Sequence, residues 1–144
     1  MSKTTLGFIF TGLVYLLIGI TLGVLFLIFP GLRALRTVHA HLNLVGFVMF
    51  LIFGVAYHIL PRFRGRPLYS EPMAWWQLWM ANIGLFGLLV FMSIATYNSQ
   101  TYLTYFEAIF GSVLVISMYL FVYNMLRTLA PSVKPVAAPV RKVN

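Results

Sequence analysis

Polar and charged positions gather into short clusters along this chain, separated by long apolar runs. No charged residue falls between Lys3 and Arg33, Arg36 and Arg62, Glu71 and Glu107, or Glu107 and Arg127. About 20 apolar residues cross a bilayer as a helix, so each gap accommodates one span. The runs predict helices over residues 5–29, 37–60, 74–97 and 101–126. The expected fold is all-α: an integral membrane, antiparallel four-helix bundle in one domain, residues 1–129. The proline- and lysine-containing tail, residues 130–144, reads as disordered.

Details within the runs sharpen this picture. Gly12, Gly19 and Gly23 share one stripe of the first helix, and small residues let helix backbones approach closely inside lipid. Pro30-Gly31 ends that helix, and a short outer loop carries Arg33 and Arg36. Pro61 ends the second helix. Trp75, Trp76 and Trp79 form an interfacial belt at the start of the third. The first span is too long for a signal peptide and no small-x-small site follows it, which predicts a retained helix. Asn43, Asn82 and Asn98 are expected to bond helix to helix, and Glu107 to pair with Arg33 or Arg36.

Composition supports lipid as the solvent. The chain is 61% hydrophobic and 8% charged, against roughly 25% charged in soluble domains. The net charge of +8 is lopsided. Lys3, Arg62, Arg64, Arg66, Arg127, Lys134, Arg141 and Lys142 fall on one side, and only Arg33 and Arg36 on the other. Basic loops stay inside, so both termini are expected to be cytoplasmic. The basic excess then serves orientation and anionic headgroups of the lipid bilayer rather than nucleic acid. Cysteine is absent, which excludes disulfides, thiolate metal sites and cysteine catalysis. With Glu71 and Glu107 the only acids, and no phosphate-binding glycine loop or nucleophile elbow, hydrolytic chemistry is excluded.

All three histidines belong to the second helix: His39, His41 and His58. Ionisable groups within a span are costly and mark function. His41 and His58 are about 25 Å apart along the axis at roughly 1.5 Å per residue, so they cannot share a metal within one protomer. His39 and His41 point in nearly opposite directions at about 100° per residue. The His39 face continues through Asn43, Gly46, Phe50, Phe53 and Tyr57, and is expected to face the bundle. The His41 face continues through Leu44, Val48, Ile52, Val55 and Ile59, and is expected to face lipid or a partner subunit. That makes His39 the better internal ligand. His41 suits a dimer interface or the headgroup layer. Haem b suits such a position: imidazole is its commonest ligand, and Arg36 and Arg33, one and two turns earlier, suit its propionates.

The stretch Arg36-Thr37-Val38-His39-Ala40-His41-Leu42-Asn43-Leu44-Val45-Gly46, continued by Gly54-Val55-Ala56-Tyr57-His58-Ile59-Leu60-Pro61-Arg62-Phe63, resembles the second transmembrane helix of haem-copper oxidase subunit I. The likeness is closest to the cbb3-type oxidase and nitric oxide reductase branch. The chain is also similar, over most of its length, to small four-helix relatives of that subunit. The resemblance implies that His39 or His41 is an axial ligand of haem b near the outer surface. It slips by one residue between the histidines and Tyr57, so it does not choose between them. It also implies a bacterial or archaeal inner-membrane location and a redox partner or respiratory complex.

The departures from the family are equally informative. Full catalytic subunits draw further histidines from other helices for the binuclear centre, and helices one, three and four here contain none. The expectation is a haem b protein that transfers electrons or binds a diatomic gas without that centre. Its sixth ligand is expected from Met92, from a histidine of a second copy in a homodimer, or from a gas. His58 either caps the inner end beside Arg62 or holds a second haem. The rival readings are an accessory or assembly protein whose histidines bind copper or zinc, and a small transporter relaying protons through Glu107 and His39.

Overall fold

The computed structural model describes residues 1–131, and all their regular structure is helical. Four helices are long and apolar enough to cross a membrane: α1 (Lys3–Ile28), α2 (Pro30–Phe63), α3 (Glu71–Tyr97) and α4 (Thr101–Leu129). The chain is a multi-pass membrane protein. From residue 132 onward, the expected basic tail lies outside the described residues.

The helix ends follow from local chemistry. The Ser2 side chain accepts the Thr5 N–H at 3.2 Å and caps α1. The Ser70 side chain accepts the Met73 N–H at 3.2 Å, with Glu71 and a proline in the first turn. A serine cap, a proline that needs no donor, and an acid at the positive helix end all favour starting there. Hence α3 begins at Glu71, earlier than the apolar pattern alone suggests. Pro61 lies inside α2 rather than ending it, and the helix continues to Phe63. At the other end Pro30 opens a 3-10 turn, Pro30–Leu35. The expected outer loop is therefore the first two turns of α2.

The interior of α2 is not uniformly α-helical. An α-helical turn, Arg36–His41, passes into a π-helical stretch, Leu42–Met49, before the α-helix resumes at Phe50–Phe63. A π turn bonds i to i+5 and so holds one residue more than an α turn. It therefore rotates the two ends of α2 relative to each other. Below it, the buried face carries Phe50, Phe53 and Tyr57, as expected, and Pro61 one turn further on. Towards the other end, Val38, Leu42 and Gly46 are buried, and His39 and Asn43 are half-buried against α1. The π stretch lies where the family likeness slips by one residue.

The bundle consists of two hairpins, α1 against α2 and α3 against α4. The α1 glycine stripe faces α2. An ideal Cβ on Gly12 would lie 3.5 Å from the Phe47 carbonyl oxygen, and one on Gly19 would meet the Asn43 amide nitrogen at 2.7 Å. Phe8, fully buried, meets Phe50 and Phe53 edge-on with ring centroids 5.4 and 5.5 Å away. Phe121 of α4 lies 4.5 Å from Phe53 and joins the hairpins. Leu44, Val48, Ile52 and Val55 are exposed on the protein and face lipid, as their pattern predicts.

The asparagines depart from expectation. Asn43 and Asn82 donate to carbonyls of their own helices, those of His39 and Leu78, both at 2.8 Å. Asn98 follows the end of α3 and is exposed. The inter-element bonds come instead from Asn124 on α4, which is fully buried. It accepts the Ser70 N–H at 3.1 Å and donates to the Ser70 carbonyl at 2.8 Å. Thr128 accepts the Tyr69 N–H at 3.0 Å. Together they fasten the α2–α3 connection to α4.

Candidate functional site

The outer half of α2 presents His39 to α1. Its Nδ1 lies 2.9 Å from the Gly19 carbonyl oxygen. A carbonyl only accepts, so Nδ1 carries the hydrogen and Nε2 keeps its lone pair. The ring is lodged in the α1–α2 seam. An ideal Cβ on Gly23 would be 3.0 Å from its Cε1, and the Phe26 ring centroid is 5.4 Å away. The Asn43 amide nitrogen lies 3.3 and 3.5 Å from the two ring nitrogens. The α1 glycines are thus what admit His39 and Asn43 to the seam.

His41 has the same tautomer in a different setting. Its Nδ1 donates to the Thr37 carbonyl at 2.9 Å, which again leaves Nε2 unprotonated. The imidazole lines a groove of about 650 Å³ between α2, α3 and α4, with Val45, Leu88, Gly111, Leu114 and Met118. Its α4 wall includes the small residues Ala108, Gly111 and Ser112, and a Cβ added to Gly111 would meet nothing within 4 Å. The groove opens on the outer surface of the bundle, where Val115 and Ile116 of its lining are exposed. Val45, one turn further along α2, shares the groove.

The other candidates are dispersed. Arg33 donates through Nε to the Phe26 carbonyl at 3.3 Å and so caps the negative end of α1. Arg36 is exposed at the same end of the bundle, one turn before His39. The expected pairing of Glu107 is not formed: among the described residues this half-buried acid has no ion pair with Arg33 or Arg36. Met92 packs against the core and is not part of the His41 groove. The methionine in that groove is Met118. At the opposite end, the Arg62 guanidinium donates to His58 Nε2 at 2.6 Å, so a metal at that nitrogen must displace Arg62. Among the described residues, no three His, Cys, Asp or Glu side chains converge as a metal site.

A second groove of about 560 Å³ runs between α1, α2 and α3, lined by Tyr15, Leu22, Val38, Leu42, Phe86 and Leu89 among others, without a histidine. Gly111, Met118 and Asn124 escaped the sequence reading. The first had a signal, since Ala108, Gly111 and Ser112 recur at helical spacing on α4.

Comparison with known proteins places this geometry in context. The family model for cytochrome c and quinol oxidase polypeptide I matches residues 3–141. A quinol oxidase subunit 1 from Sulfolobus acidocaldarius is 41% identical over 46 residues, which is 32% of this chain and 9% of that protein. The matched stretch is thus a small part of that relative's length. No solved structure matches the chain at a significant level.

Proposed function

The chain belongs to the cytochrome c and quinol oxidase polypeptide I family, and from that premise we propose that it binds haem b through His41. The observation that carries this reading is the orientation of that imidazole. Its Nδ1 is tied to a backbone carbonyl, and the ring lines an apolar groove of about 650 Å³. Ligand pockets occupy about 300–1,000 Å³, and second-shell hydrogen bonding at one nitrogen is what fixes a metal-binding histidine. The donor set therefore fits the group. His39 fits less well, because its ring edge is packed into the α1–α2 seam. It serves to hold α2 on α1.

In this reading haem, when bound, would supply one-electron redox chemistry or affinity for a diatomic gas. The chain's residues divide the remaining tasks. Small side chains on α4 leave space beside His41, and leucine and valine exclude water. Arg36 offers a fork for a propionate at the outer boundary. Met118 in the same groove, or an imidazole of a second copy, would be a further ligand for the haem. All three histidines lie on α2, so these residues hold a haem without building the family's binuclear centre. The setting is a bacterial or archaeal inner membrane, with both described ends inside, and a redox partner exchanges electrons with the haem.

The test is haem per chain, measured by pyridine haemochrome on the parent, His39→Ala and His41→Ala proteins expressed with ample haem. His41→Ala should lose the haem, while His39→Ala should retain most of it. Loss in His39→Ala alone would reverse the assignment. A parent protein without haem would end the reading.

A further inference from the structure

At the end of the bundle opposite the His41 groove, a separate pocket of about 530 Å³ lies between the start of α1, the end of α2 and the loop leading to α3. Ser2, His58, Arg62, Arg66 and Glu71 supply its polar lining, and Pro61 and Leu68 contribute apolar wall. Among the described residues, the lining includes the guanidinium groups of Arg62 and Arg66 and the carboxylate of Glu71. Arg62 is held by an acceptor that carries no negative charge: its Nη1 donates to His58 Nε2 at 2.6 Å. Such a bond pre-positions the fork without neutralising it. An anion meeting that fork loses less side-chain freedom than it would at a mobile arginine.

The depth of the pocket selects the anion. Ser2 precedes the first residue of α1 and Pro61 belongs to the last turn of α2, so the opening sits at the membrane boundary. Trp75, Trp76 and Trp79 are exposed at the same end, where an aromatic belt lies at headgroup level. Basic pockets between spanning helices at this level bind anionic headgroups, and arginine meets phosphate with paired hydrogen bonds. We propose that this pocket seats the phosphodiester headgroup of an anionic phospholipid, one per chain, with Arg62 as its principal contact. The apolar wall of Pro61 and Leu68 flanks the lipid's glycerol region. This site is independent of haem and stands whether or not His41 holds one.

The experiment is native mass spectrometry of the detergent-purified full chain given equal amounts of phosphatidylglycerol and phosphatidylcholine. One phosphatidylglycerol should be retained in preference, and the preference should fall as salt rises. Arg62→Gln should reduce it by about tenfold or more, since a hydrogen bond between charged groups contributes about 1.5–3 kcal/mol. Arg64→Gln, exposed beside the pocket but outside its lining, should leave it unchanged. Equal retention of the two lipids, or equal loss in both variants, would overturn the site. Thermal stabilisation of the parent by inorganic phosphate as large as that by phosphatidylglycerol would overturn its assignment to lipid. If Arg62→Gln does not accumulate, photoreactive phosphatidylglycerol on the parent decides. Labelling should concentrate on residues 61–71, and labelling spread over both ends would refute the proposal.

Discussion

Replacing Gly84 or Gly111 with alanine adds the same methyl group to the same helix pair, with opposite consequences. At Gly84 the new Cβ would lie 2.6 Å from the Leu114 nitrogen and 2.9 Å from its Cα. These are backbone atoms, which cannot rotate aside, so α3 and α4 must separate. Forcing an extra methyl into a packed contact costs about 1–3 kcal/mol. At Gly111 the Cβ meets nothing within 4 Å, and only the entropic gain of about 0.4–1 kcal/mol from a less flexible unfolded chain remains. That gain applies to both variants, so their stabilities should differ by the packing cost. The difference is about 1–3 kcal/mol, equivalent to roughly fivefold to a hundredfold in the unfolding equilibrium. Titration with dodecyl sulfate in mixed micelles, followed by helical circular dichroism, reads it directly. Gly111→Ala should unfold at or above the parent's midpoint and Gly84→Ala well below it. Coincident midpoints would refute the close approach of α3 to α4.

Asn124→Leu removes both bonds to Ser70, and at about 0.5–1.5 kcal/mol each it should cost about 1–3 kcal/mol; a parent-like midpoint in the same titration would contradict that linkage. Gly111→Leu places a larger side chain in the His41 groove where the backbone leaves room. It should lower haem retention several-fold while the unfolding midpoint stays near the parent's. His58→Ala, at the far end of α2, should leave haem per chain unchanged, and a loss there would move the haem or reveal a second one.

The four spans were legible because charge is excluded from lipid, and the gaps between charged residues follow from that exclusion. The α1 glycine stripe was legible for a related reason, since close helix contact in lipid requires small residues at helical spacing. The π stretch of α2 was not, because a bonding pattern of i to i+5 leaves no compositional trace. The one-residue slip in the family likeness was its only outward sign. The asparagine roles were unreadable for another reason. In lipid any buried amide needs a partner, and whether that partner lies on its own helix, as for Asn43, or across a seam, as for Asn124, depends on three-dimensional packing. Arg33 donates to the Phe26 carbonyl at the end of α1 instead of to Glu107.

The central claim is that this membrane protein carries haem b, and one visible spectrum of the detergent-purified chain, oxidised and then dithionite-reduced, tests it most directly. A sharp Soret band with resolved α and β bands on reduction is the expected result. A colourless protein, purified from cells amply supplied with haem, would contradict the claim.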